Sequence, residues 1–223
     1  MKVCVVIPVH NEAKAIGHLV KGIKEKSLDA IVIDDGSQDQ SGILAQKEGA
    51  IVLTNEERQG KGRSLQRGFD QILKSDYWGV ITMDGDGQHS VADLDIFLQR
   101  IQENPRCIIT GNRMNDIKNM PLIRNLTNRF MSGLISLLCR QSIPDSQCGF
   151  RYIPKELLTQ IRLTSHDFEI ESEVLIKASK RGLKILSVPV QTIYRDEKSK
   201  VNPFLDTIRF IIYIFRETFS KAK

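Results

Sequence analysis

The chain is short of the residues that mark stapled, fibrous or membrane-spanning proteins. Its 223 residues include only 4 cysteines, 7 prolines and 1 tryptophan. Cys4, Cys107, Cys139 and Cys148 lie far apart and form no Cys-X-X-Cys. Neither a zinc site nor a disulfide framework follows, and free thiols in a reducing cytosol are expected. No window approaches the roughly 20 apolar residues of a membrane-spanning helix. The longest apolar run near the end, Phe210 to Phe215, covers six positions. Residues 1–9 are too short for a signal peptide, and Pro8 interrupts them. Lysine and arginine are spread along the chain without a block, so the formal net charge of +5 gives no argument for nucleic acid. It does suit a nucleotide or lipid-headgroup partner. Internal repeats, low-complexity tracts and Pro/Gly-rich linkers are also missing, which leaves one compact unit.

What is present is an ordinary soluble composition, 41% apolar and 26% charged, with a strong alternation of patterns. Runs rich in Val and Ile at 2–9, 29–33, 50–53, 78–83 and 107–110 read as buried strands. Between them stand helical patterns. The first is capped by Asn11 and carries Ala15, Ile16, Leu19, Val20 and Ile23 on one face. Others span 40–48, 60–73 and, capped by Ser90, 90–102. This order predicts an α/β fold with an open, mostly parallel sheet, which binds ligands at the carboxyl ends of its strands. From Met120 the rhythm changes: helices are expected at 122–138, 168–181 and 203–219, with a turn leading into a short strand at 145–153 and extended chain at 183–193.

The polar clusters fall where such a sheet would use them. Asn11-Glu12, Asp34-Asp35-Gly36-Ser37, Asp84-Gly85-Asp86 and Gly111-Asn112-Arg113 each follow a predicted strand. Alternate residues of an extended segment point the same way, so Asp84 and Asp86 can converge on one cation, and the flanking glycines can leave room for an anionic ligand. The bland reading of each cluster is a solvated turn or a helix cap, for which Asn11 and Asp39 are equally suited. Four such clusters at the same ends argue for a site.

Taken together, Ile7-Pro-Val-His-Asn-Glu12, Ile33-Asp-Asp-Gly-Ser37 and Asp84-Gly-Asp-Gly-Gln-His89 resemble the inverting GT-A nucleotide-sugar glycosyltransferases of family 2. Gly60-Lys-Gly62, Gly68-Phe69, Gly111-Asn-Arg113, Cys148-Gly-Phe-Arg151 and Tyr194-Arg195 through Ser199-Lys200 are similar to the dolichol-phosphate mannose synthase branch. The resemblance covers nearly the whole chain. It implies a single GT-A domain with a nucleotide-sugar-binding half (1–112), an acceptor-binding half (113–202) and a C-terminal helix (203–223).

The resemblance also implies roles. Pro8, Asn11, Glu12, Asp35, Gly36, Lys61, Asp84 and Gly85 would bind a GDP- or UDP-sugar. Asp84, Asp86 and Gln88 would hold Mg²⁺ or Mn²⁺ on its diphosphate. Asp86, Arg113 and Arg195 would be catalytic. Arg113, Arg124 and Lys200 would hold the phosphate of a polyprenyl phosphate acceptor, with Arg129 as a competitor for Arg124. Two departures matter. Asp196-Glu197-Lys198 stand where the branch usually has a glycine, and no Gln-X-X-Arg-Trp motif is present, which argues against processive synthesis.

Acceptor chemistry divides the possibilities. A hydroxyl acceptor needs a base, for which Asp145, Glu169, Glu171 and Glu173 are the candidates; Glu169 and Glu173 share a helix face, whereas Glu171 points elsewhere. A phosphate acceptor is already ionised and needs positioning alone. A non-catalytic nucleotide-sugar-binding module is the third reading. The apolar faces of 203–219 and 122–138 suit a membrane surface, the protein's own core, or a second subunit or membrane partner. A cytoplasmic protein, peripheral on the membrane, is expected.

Overall fold

The computed structural model describes residues 1–115, 117, 120–193, 210 and 214. Its strands are β1 (Val3–Val9), β2 (Asp29–Asp35), β3 (Ile51–Asn55), β4 (Gly79–Thr82), β5 (Ile108–Asn112), β6 (Arg151–Pro154) and β7 (Ile185–Pro189). They form one seven-stranded sheet in the order β3-β2-β1-β4-β6-β5-β7. β1 shows why the sheet is central. Val3, Val5, Ile7 and Val9 enter one core cluster while Cys4 and Val6 enter the other, so the two-residue period feeds both faces.

Helices α1 (Ala13–Glu25), α2 (Ser41–Lys47) and α4 (Leu94–Glu103) contribute to the first cluster. Helices α3 (Lys61–Leu73), α5 (Leu122–Cys139), α6 (Lys155–Gln160) and α7 (Glu169–Lys180) contribute to the second. The five apolar residues expected on the inner face of α1 are its buried residues. Its expected cap is not the one used. Asn11 takes a positive φ of 57°, and Glu12 occupies the N-cap but does not cap the helix with its side chain. Asp39 instead accepts from Ala13 N at 3.1 Å and from Ser41 N at 2.9 Å, tying the starts of α1 and α2 together. Ser90 caps a short 3-10 turn, Val91–Asp93, that leads into α4.

The sheet is parallel except for β6, which runs antiparallel between β4 and β5. This has a consequence for function. A strand of reversed direction starts where its neighbours end, so the segment before Arg151 arrives at the carboxyl ends of β4 and β5. The division at residue 112 therefore runs through one continuous sheet. Trp78 does not share the burial expected of it: it precedes β4 and is 60% exposed. The predicted helix 203–219 lies outside the described residues except for Phe210 and Ile214, both helical, with Phe210 buried in the second cluster. The cysteines are free; Cys4, Cys139 and Cys148 are buried.

Candidate active site

The loops after β1 and β2 are stitched to each other. Asn11 N donates to Ser37 Oγ (3.0 Å), Gln38 N to Asn11 Oδ1 (2.8 Å), and Glu12 N to Ser41 Oγ (2.7 Å). Pro8 is half-buried at the end of β1. Gly36, with φ 66°, lies so close to the 57–58 backbone that an added Cβ would stand 2.8 Å from Arg58 N. Asp35 is buried, and its carboxylate accepts from Asn55 Nδ2 (2.8 Å), Gln59 N (2.9 Å) and Gly60 N (2.9 Å). Its visible work is to fix loop 55–60, and with it the first residue of α3, Lys61.

Lys61 reaches the centre of the site. Its Nζ lies 2.5 Å from Asp84 Oδ1 and 2.6 Å from Glu171 Oε1. The other oxygen of Asp84 accepts from His89 Nε2 at 3.1 Å. Burial alone would push the Asp84 carboxyl up, but Lys61 and then His89 outweigh it and hold the group well below the usual carboxylate range. Asp86 is treated in the opposite way. Burial and then the charge of Asp84 push its carboxyl up, and the hydrogen bond from Gln88 N (2.9 Å) with the charges of His89 and Lys61 only partly offsets them. Lys61 and His89 bond Asp84 and act on Asp86 only from farther off. A divalent cation on the Asp86 side would remove the repulsion, and two carboxylates completed by phosphate oxygens suit Mg²⁺ or Mn²⁺. Among the described residues no group of three or more His, Cys, Asp or Glu forms a metal site without such help.

Two expectations about this stretch need correction. β4 ends at Thr82, so Asp84 and Asp86 lie beyond the strand, Asp86 in a turn, and are not brought together by strand alternation. Nor does Gly85 open space for a ligand: an added Cβ would stand 2.5 Å from Val9 Cγ1, so the missing side chain admits the protein's own first strand. A second close approach was not foreseen. A Cβ on Gly149 would lie 2.5 Å from Asp84 Oδ2, which makes Gly149 the floor beneath that carboxylate.

The segment entering β6 carries the second half of the site. Arg151 is buried and donates from Nε to Cys148 O (2.7 Å), from Nη2 to Ser146 O (2.6 Å), and from Nη1 to Glu171 O. Arg113, just past β5, is buried against Asp145. Its Nε and Nη2 donate to the two carboxylate oxygens at 2.8 and 3.0 Å. The planar fork expected to grip an acceptor phosphate is therefore occupied by an internal carboxylate. Burial pushes Asp145 up, yet Arg113 outweighs it and holds the group below the usual range.

The candidate bases fare differently from expectation. Asp145 is fully buried in its pair with Arg113. Glu173 is fully buried and accepts from Thr164 N (2.9 Å), Ser165 N (2.8 Å) and Lys177 Nζ (2.6 Å). Neither is presented to a substrate. Glu171, which helix spacing had pointed away, is the carboxylate that joins Lys61. Spacing misled because α7 is buried on nearly every side from Ile170 to Ile176, so no single face is the inner one. Arg151 was visible only as part of a resemblance motif, and Glu171 only as one of four candidate bases, with nothing in the sequence to pair it with Lys61.

Arg124 sits half-buried in the first turn of α5, and Arg129 is exposed on the same helix. Gln88 contributes through its backbone, which donates to Asp86 and accepts from Ile193 N at 2.9 Å. Arg195 and Lys200 lie outside the described residues.

A mostly parallel sheet with paired carboxylates at its carboxyl edge is the arrangement of a GT-A glycosyltransferase. The glycosyl transferase family 2 profile matches residues 4–162, and the chain belongs to that family of enzymes. The UDP-N-acetylglucosamine–dolichyl-phosphate N-acetylglucosaminyltransferase of Methanococcus voltae is 30% identical over 214 residues, covering 86% of this chain and 85% of its own. The dolichyl-phosphate hexose transferase of Haloferax volcanii is 30% identical over 204 residues, covering 90% of this chain and 86% of its own. Among solved structures, glucosyl-3-phosphoglycerate synthase of Mycobacterium tuberculosis with Mn²⁺, UDP-glucose and phosphoglyceric acid superposes with a TM-score of 0.76 at 20% identity, over 100% of this chain and 81% of that one.

Proposed function

We propose that the protein transfers a hexose, with inversion at the anomeric carbon, from a GDP- or UDP-sugar to a polyprenyl phosphate at the cytoplasmic face of a membrane. The dolichyl-phosphate acceptors named for its relatives support this reading. The observation that carries it is the sealing of Asp145 and Glu173 within protein hydrogen bonds. A hydroxyl acceptor would need a base; these two of the four candidate carboxylates are sealed and Glu171 is paired with Lys61, whereas a phosphate oxygen attacks without losing a proton.

In the proposed step that oxygen forms a bond to the anomeric carbon from the face opposite the departing nucleoside diphosphate, whose bond to the sugar breaks with its electron pair. Asp84 and Asp86, with Gln88 beside them, would hold Mg²⁺ or Mn²⁺, which supplies Lewis-acid stabilisation to the leaving diphosphate. A distant structural neighbour in complex with both Mn²⁺ and UDP-glucose supports that assignment. Lys61 adds a second positive charge beside Asp84, and Asp35 holds the loop that aims it. Arg113 and Arg124 are the proposed acceptor-side cations, Arg113 contributing what Asp145 leaves unpaired, and Arg195 and Lys200 complete the assignment. Incubation with Mn²⁺, a panel of sugar nucleotides and a short-chain polyprenyl phosphate should yield one lipid-linked sugar of inverted anomeric configuration. No lipid-linked product from any donor, or transfer to a glycan hydroxyl in its place, would overturn the acceptor.

A further inference from the structure

Asp84 is held from three sides by the protein itself. Its Oδ1 accepts from Lys61 Nζ at 2.5 Å, its Oδ2 accepts from His89 Nε2 at 3.1 Å, and Gly149 lies beneath both oxygens. The carboxylate has lone pairs to spare for a metal ion. Charge is the obstacle, because an ammonium beside Oδ1 repels a second cation brought to the same group. For Asp84 to join Asp86 around a divalent cation, the positive charge already beside it has to draw back.

The two neighbours of Asp84 differ in their freedom to move. His89 is pinned: its ring packs against Phe150 at 5.3 Å between centroids, and its side chain is almost wholly buried. Its backbone bridges to Thr192, and beside it Ile193 N donates to Gln88 O at 2.9 Å. Lys61 carries its ammonium on a flexible four-carbon stem. That ammonium already has other partners, Glu171 Oε1 at 2.6 Å and the ring of Phe168 at 5.3 Å from its centroid. Glu171 is itself fixed, buried in α7 with its Oε2 3.8 Å from Arg151 Nη2.

We infer that Lys61 is an internal counter-ion that competes with the divalent cation for Asp84, and that Glu171 is the positioning residue that retains Lys61 when Asp84 is given up. A nucleoside diphosphate brings the negative charge that favours the shift, since its phosphate oxygens attract the released ammonium. Lys61 therefore couples the two ligands. Each is held weakly without the other, and by linkage each raises the affinity of the other by the same factor. The consequence is a site that discriminates against metal ion alone. The inference rests on the assignment of Asp84 and Asp86 to the cation, and its test reads binding without turnover.

The experiment follows Mn²⁺ binding to the full-length protein, by the paramagnetic signal of the free ion without nucleotide and by calorimetry with UDP or GDP. Lys61→Met should bind Mn²⁺ alone roughly ten-fold more tightly than the wild type, because a unit charge a few ångströms away is gone. The same variant should bind nucleoside diphosphate more weakly in the presence of Mn²⁺, so the synergy between the two ligands shrinks. A merely structural lysine would not move the two affinities in opposite directions. Glu171→Gln should weaken binding of Mn²⁺ alone, as Asp84 is then the only carboxylate holding Lys61. Added to Lys61→Met it should have little further effect, and the double variant, with neither charge left to bury, guards against a folding defect. Unchanged or weaker binding of Mn²⁺ alone by both Lys61→Met and the double variant would overturn the inference. An equal effect of Glu171→Gln with and without Lys61 would overturn the role of Glu171. Should the wild type bind no Mn²⁺ even with nucleotide, or Asp86→Ala bind it equally well, the metal assignment itself fails and the inference with it; the other outcomes leave that assignment standing.

Discussion

The two halves of the sheet carry their charges differently. In the half built on β1, β2 and β4, the carboxylates arise at strand ends, and burial and Asp84 keep Asp86 raised despite the Gln88 backbone donor and the charges of His89 and Lys61. In the half built around β6 and α7, the charges are closed off: Arg113 with Asp145, Glu173 with the 164–165 backbone, and Arg151 with backbone carbonyls. The first half is arranged to receive a ligand and the second to hold its own shape. Lys61 is the exception that joins them, touching Asp84 of one and Glu171 of the other.

That contrast makes separable demands on variants. Asp86→Ala should give the largest loss of turnover, roughly 100- to 1,000-fold, by removing charge stabilisation at the reacting diphosphate, with the folding free energy little changed. Steady-state kinetics beside a urea titration would show it, and a variant that unfolds while the residual folded fraction keeps full turnover would dissolve the distinction. Asp145→Asn should do the reverse first. Leaving Arg113 buried without its partner costs about 3–5 kcal/mol of stability, read from the denaturation midpoint. A stable Asp145→Asn enzyme with turnover lost and donor affinity kept would instead make Asp145 a base and favour a hydroxyl acceptor.

Gly149→Ala tests the boundary between the halves. Its new methyl would press on Asp84 Oδ2 from 2.5 Å, so a stability cost of about 1–3 kcal/mol is expected. Weaker Mn²⁺ affinity measured calorimetrically with nucleoside diphosphate should accompany it. If the metal affinity is untouched, Asp84 is not the group Gly149 supports.

The smallest effect is one of pH. Asp145 and Glu173 are both held below the usual carboxylate range in the folded protein, against burial, by Arg113 and by Lys177 with the 164–165 donors respectively. A depressed folded value means that their stabilisation is present above the unfolded values near 4. It is lost as the pH falls from there through the lower folded values. Denaturation midpoints should therefore be flat near neutrality and fall in acid. Glu173→Gln should flatten the acid limb, and an unchanged limb would show that its clamp contributes nothing.

Much of this was legible in the residues. The apolar pattern of α1 and the strand runs of β1, β2 and β4 match the structure to within a few residues, because periods of 2 and 3.6 are local properties. The strand-end carboxylates were legible for the same reason. The reversal of β6 was not: a strand's direction depends on the path of the chain around it, and Arg-Tyr-Ile-Pro is compatible with either. Asp39 was legible as a helix cap, but its bond to the start of α1 was not, because a cap twenty-odd residues downstream leaves no local trace.

The sequence by itself determined an α/β sheet whose carboxyl edge is acidic, and the family to which such an edge belongs. Tertiary structure alone decided which charges meet. Lys61 and Glu171 are 110 positions apart and Arg113 and Asp145 are 32 apart, distances at which no periodicity operates. The stability of a buried charge depends on the partner that shares its desolvated space, and that partner is chosen only when the sheet has closed.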